Sequence, residues 1–71
     1  MNQPAPLQVL INQLPVTLAA GATLADAVKV AQIQPPFAAA INLQFVPKTR
    51  YNQTVLHEGD RIDLIAPVVG G

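Results

Sequence analysis

The chain has 71 residues, no cysteine and one histidine, so neither disulfides nor a zinc site can staple its core, and packing must hold it. Charged residues are 11% with a net charge of zero, and the cations Lys29, Lys48, Arg50 and Arg61 form no stripe that could follow a phosphate backbone, which argues against nucleic acid as a partner. No apolar run reaches membrane-spanning length, and Met1-Asn2-Gln3-Pro4 opens no signal peptide; the expectation is one soluble, cytoplasmic domain over residues 1–71, with no membrane partner.

Residues 1–6 are a loose, proline-bearing lead-in. Leu7 to Ile11 alternates as a strand with Leu7, Val9 and Ile11 on one face. Asn12-Gln13 is the turn, and Leu14 to Leu18 returns as a second strand. Pro15 cannot donate to a ladder, which places that strand at a sheet edge or makes Pro15 its beginning. Ala19-Ala20-Gly21 leads out of the hairpin.

The spacing predicts a helix from Thr23 to about Gln32. Thr23 is its N-cap with Asp26 three residues on, and Leu24, Ala27, Val28 and Ala31 make one apolar stripe. Pro35-Pro36 forbids continuation. Periodicity leaves Phe37 to Asn42 open between helix and strand; the flanking prolines and the Asn42-Leu43-Gln44 turn favour strand. Phe45-Val46-Pro47 is a short extended piece. Lys48 to Leu56 reads as a long connection with room for one helical turn, and Glu58-Gly59-Asp60 as a tight turn. Arg61 to Ala66 is the last strand, with Ile62, Leu64 and Ala66 toward the core.

The expected class is therefore α+β: a mixed sheet of four to five strands in the order ββαββ, with one helix on one face. The other face meets water or a partner. Leu10 and Ile65 have the wrong parity for the core. If the first and last strands are neighbours, the two would make a small apolar patch there, either ordinary exposed residues or a partner-docking surface.

No catalytic constellation is legible. His57 beside the Glu-Gly-Asp turn reads as a solvated loop residue, and the chain has no Cys or Ser nucleophile to pair with it. Asp60 and Asp63 read as solubilising groups rather than an acid–base pair. No glycine-rich loop opens a helix. The remaining candidate is the end of the chain, Ala66-Pro67-Val68-Val69-Gly70-Gly71. Pro67 stiffens the exit, and two residues without side chains put the terminal carboxylate on a thread thin enough for a narrow channel. A frayed terminus is the plainer reading of the same residues.

Ala40-Ile41-Asn42, Phe45-Val46-Pro47-Lys48, Tyr51, Gly59-Asp60 and the terminal Gly70-Gly71, in that order, resemble the ThiS sulfur carriers of thiamine biosynthesis, which are ubiquitin-like β-grasp proteins. Ile11-Asn12 and Ala20-Gly21-Ala22-Thr23-Leu24 fit the same pattern, so the likeness spans about Val9 to Gly71. It implies a carrier and not an enzyme, binding no cofactor itself. A ThiF-like adenylyltransferase would use ATP and magnesium to adenylate the Gly71 carboxylate. A sulfur donor charged by a cysteine desulfurase would convert it to a thiocarboxylate, and a ThiG-like thiazole synthase would take the sulfur. Gly71 would then be the modified residue, Gly70, Val69 and Val68 its flexible tail (67–71), and Leu10 and Ile65 the docking residues. The approach Ala66-Pro67-Val68-Val69 also resembles MoaD, the small subunit of molybdopterin synthase. A β-grasp interaction module or ubiquitin-like modifier is a third alternative.

Overall fold

The structure, a computed structural model, describes residues 5–67. Strands β1 (Leu7–Ile11) and β2 (Leu14–Leu18) form an antiparallel hairpin. Its turn places both central residues at positive φ, Asn12 at 50° and Gln13 at 70°. That geometry follows the strand twist and suits Asn better than most residues. Helix α1 (Leu24–Ala31) follows, then β3 (Ala38–Ile41), β4 (Gln44–Val46), a 3-10 helix over Lys48–Gln53, and β5 (Arg61–Ile65). The sheet order is β2-β1-β5-β3-β4. β5 runs parallel to β1 and antiparallel to β3, so the last strand fills the centre of a mixed sheet. This is the β-grasp arrangement that the sequence implied, with five strands. Pro15 lies on the edge strand β2, where its missing N–H costs no ladder bond.

Helix α1 begins where the sequence places it. The Thr23 amide donates to Asp26 Oδ2 at 2.9 Å, which satisfies the N-cap end. It ends at Gln32, whose left-handed backbone (φ 57°) lets its amide reach the carbonyls of Val28 and Lys29. Leu24 and Ala27 are fully buried against the sheet. Ala31, expected on the same stripe, is exposed at a shallow cleft that it shares with Ile11, Leu14 and Val16.

The core joins Leu7, Val9 and Ile11 of β1 to Ile62 and Leu64 of β5, with Leu18, Leu24 and Leu56. Ala66 was expected to face this core, but β5 stops at Ile65 and Ala66 is exposed beyond the sheet. Leu56 is the core residue that periodicity missed. It is 2% exposed inside an irregular segment, held because its amide donates to the Ala22 carbonyl at 2.9 Å. The Leu24 amide donates to Thr54 in the same way, so this return segment and the start of α1 fix each other. Pro47 sits ahead of the 3-10 helix, its carbonyl accepting from Arg50, and Tyr51 stacks on Phe37 with ring centroids 6.1 Å apart. Both residues are structural, and together they seat the connection under the sheet.

Candidate functional site

β5 carries the end of the chain out of the fold, and two asparagines pin it. The Leu64 amide donates to Asn12 Oδ1 at 2.8 Å, and Asn12 Nδ2 donates back to the Leu64 carbonyl at 3.2 Å. Asn42 works on the other side: its Oδ1 accepts from the Arg61 amide at 3.0 Å, and its Nδ2 donates to Asp60 Oδ1 at 3.0 Å. Each asparagine occupies the first central position of a hairpin turn, at φ 50° and 51°. Its short side chain can therefore turn onto the neighbouring strand. The strand is held at its start and near its end, and these contacts set the exit direction at Ile65.

The start of β5 is fixed by its turn. Gly59, at φ 83°, donates its amide to the Gln8 carbonyl at 2.7 Å, and the Asp60 carbonyl accepts from Leu10 at 2.9 Å. Asp60 Oδ2 accepts from the His57 amide at 2.8 Å. The His57 ring lies 3.9 Å from the same carboxylate and is 79% exposed, which matches a solvated loop residue. Asp63 is not beside Asp60 but lies on the open sheet face, 3.6 Å from Arg61 Nε. The two carboxylates are therefore engaged separately, and Asp60, expected as a solubilising group, instead braces its turn through Asn42 and the His57 amide. Among the described residues no group of three or more His, Cys, Asp or Glu could hold a metal ion.

The open face of the sheet carries the candidate docking residues. Leu10 and Ile65 both lie on it, and β1 and β5 are neighbours as that expectation required. The single patch does not form, however. Leu10 is level with Arg61, four residues from Ile65, a displacement of about 13 Å along the strand. The Arg61–Asp63 ion pair stands between them. Ile65 instead lies opposite Ala38, and one step along β3 Ala40 lies opposite Phe45. Phe45 is 70% exposed and Ile65 59%. The apolar strip is therefore Ile65, Ala38, Ala40 and Phe45, at the end of the sheet from which the chain leaves. Phe45 was legible as an outward residue only once its register against β3 was known.

Val68, Val69, Gly70 and Gly71, the expected tail and modified residue, lie outside the described residues. Among the described residues, no helix is long and apolar enough to cross a membrane.

The ThiS family model matches residues 4–71. A sulfur carrier protein ThiS from Escherichia coli K12 is 35% identical over 66 residues, which span 92% of this chain and all of that one. The chain belongs to the ThiS family. The crystal structure of the thiamine biosynthesis protein ThiS from Geobacter metallireducens superposes with a TM-score of 0.76 at 14% identity, covering 92% of this chain and all of that one. That second likeness supports the β-grasp fold alone, since identity is low.

Proposed function

We propose that this chain is a sulfur carrier of thiamine biosynthesis whose working group is the carboxylate of Gly71. The membership of the ThiS family carries this reading, and the central, doubly pinned β5 agrees with it. Sulfur carriage in thiamine biosynthesis follows from the family and from the 35% identical carrier.

An unactivated carboxylate is a poor acyl donor, so a partner must supply the activation. A carboxylate oxygen of Gly71 attacks the α-phosphorus of ATP, held with magnesium by a ThiF-like adenylyltransferase, and pyrophosphate leaves. The outer sulfur of a persulfide, on a donor that a cysteine desulfurase has charged, attacks the acyl carbon, and AMP departs with the shared oxygen. A thiol reductant then cleaves the S–S bond of the resulting acyl disulfide, which leaves the thiocarboxylate and oxidises the thiol to a disulfide with the donor. A ThiG-like thiazole synthase then takes the sulfur. The chain catalyses none of these steps and works in the cytoplasm as a shared substrate. Gly70, Val69 and Val68 form the thin lead that lets one carboxylate reach more than one active site, on a domain spanning the rest of the chain.

Docking falls to the open sheet face. Ile65 with Ala38, Ala40 and Phe45 forms the contact nearest the exit, and Leu10 a second point beyond the Arg61–Asp63 pair. Reconstituted thiazole formation with these partners tests the reading. Removing Gly70 and Gly71 should abolish product while leaving the far-UV spectrum and unfolding midpoint unchanged. Product formation at the full rate by the truncated chain would refute it.

A further inference from the structure

Between the end of α1 and the 3-10 helix lies a cleft of about 450 Å³ whose lining includes Val28, Ile33, Pro35, Phe37, Lys48 and Tyr51. That volume is in the range of small-molecule sites. Val28, Ile33, Phe37 and Tyr51 are half-buried and pack against the core, so these walls are fixed by the fold itself. Phe37 and Tyr51 stack with their ring planes 18° apart and give the cleft an aromatic surface.

Lys48 is the charged residue of this lining, and the fold gives it no task. It is exposed and joins neither of the ion pairs among the described residues. No acidic side chain of the chain is left to pair with it, because there are four and each is engaged elsewhere. Asp26 caps α1, Glu58 accepts from the Gln8 amide, Asp60 braces its turn through Asn42 and the His57 amide, and Asp63 pairs with Arg61. Its neighbours in the same signature stretch do have tasks, since Pro47 opens the 3-10 helix and Tyr51 stacks on Phe37. A cation beside apolar, aromatic walls suits a ligand with an apolar body and one negative charge. A single ammonium balances a monoanion, whereas a phosphate is better held by an Arg fork, and no Arg lines the cleft.

We propose that the cleft is a binding site for a free, small monocarboxylate with an aromatic body, its ring against Phe37 and Tyr51 and its carboxylate on the Lys48 ammonium. Apolar contact supplies most of the affinity, because an ion pair at an exposed lysine adds little. The charge instead selects among ligands of one shape. None of Ile65, Ala38, Ala40 and Phe45 lines the cleft, so an occupied site leaves the apolar strip of the open face clear. The site is independent of the chemistry proposed for Gly71.

The test is an amide NMR titration of the full chain at neutral pH with 3-phenylpropionate, against its neutral isostere 3-phenylpropanamide at matched ionic strength. The expected result is saturable shifts at Ile33, Phe37, Lys48 and Tyr51, with a dissociation constant on the order of 1 mM for the acid. The amide should bind about two- to fivefold more weakly, and Lys48→Gln should weaken the acid by the same factor while leaving the amide unchanged. The comparison of acid with amide alters no residue of the protein, so it is free of any folding defect in the variant. Shifts that do not saturate, or that centre on Phe45 and Ile65 instead, would overturn the proposal. Equal affinity for acid and amide would overturn it too, as would a Lys48→Gln chain that binds the acid as tightly as the natural one. Because no adenylation or sulfur is involved, the outcome is read separately from the success or failure of thiocarboxylate formation.

Discussion

At the scale of single residues, the two turn asparagines do the most. Asn12 satisfies both backbone groups of Leu64 and also accepts a left-handed backbone. Asn12→Ala removes the bonds and puts Ala at φ 50°, so it should destabilise the fold by about 2–3 kcal/mol. Urea unfolding midpoints at constant slope measure this. Leu43 is the opposite case. It holds φ 71° in the second hairpin turn while 76% exposed, a backbone state that suits glycine and gains nothing here from the side chain. Leu43→Gly should stabilise by about 1 kcal/mol, seen in the same measurement. Gly59, at φ 83°, has open space where a Cβ would go. Gly59→Ala should therefore cost only the backbone penalty, about 1–2 kcal/mol. The Asn12-Gln13 turn was readable from sequence because Asn tolerates this geometry. The double staple onto β5 was not, since its partners lie 52 residues away and only the sheet order brings them together.

At the scale of elements, alternation and spacing carried most of the fold. The buried face of β1, the Thr23 cap with Asp26 and the end of α1 before the proline pair are all consequences of local pattern, and the structure has them. What local pattern missed was decided by tertiary contact. Ala66 satisfies its periodicity but lies beyond the end of β5, and Ala31 stays exposed at the last turn of α1. Leu56 breaks every periodicity and is nonetheless 2% exposed, because the return segment runs under the sheet and bonds to Ala22. Leu56→Ala should cost about 2–5 kcal/mol, like a substitution in a regular core element and unlike one in a surface loop. Thermal or denaturant unfolding decides between the two. The open sheet face was half legible: Leu10 and Ile65 lie on it as their parity required, but their alignment depends on the β1–β5 register, which puts Arg61 and Asp63 between them. Phe45→Ser and Ile65→Ser should therefore weaken capture by the adenylating partner about tenfold or more and leave stability nearly unchanged. Leu10→Ser should weaken it less. Steady-state KM for the carrier, taken with the unfolding midpoint, separates docking from folding.

At the scale of the whole molecule, the last strand lies at the centre of a mixed five-stranded sheet and is pinned by Asn12 and Asn42. On the proposed reading the scaffold has only to be recognised and to stay folded, a demand that a 71-residue chain with no cysteine can meet. The family was legible in the amino-acid sequence because its signature residues are the ones the fold needs at special places: Asn42 stapling β5, Pro47 opening the 3-10 helix, Tyr51 against Phe37, Gly59 in its positive-φ turn. The chemistry of the end itself comes from the reactivity of a carboxylate and from the family, and it is what most needs a direct measurement. That measurement is the intact mass of the chain after incubation with ATP, magnesium, a sulfide source and an active ThiF-like enzyme, followed by fragmentation. The account predicts a gain equal to exchanging one oxygen for one sulfur, located at Gly71 and abolished by deleting it. An unchanged mass, with the same enzyme loading its own carrier in parallel, or a gain at any other residue, would contradict it.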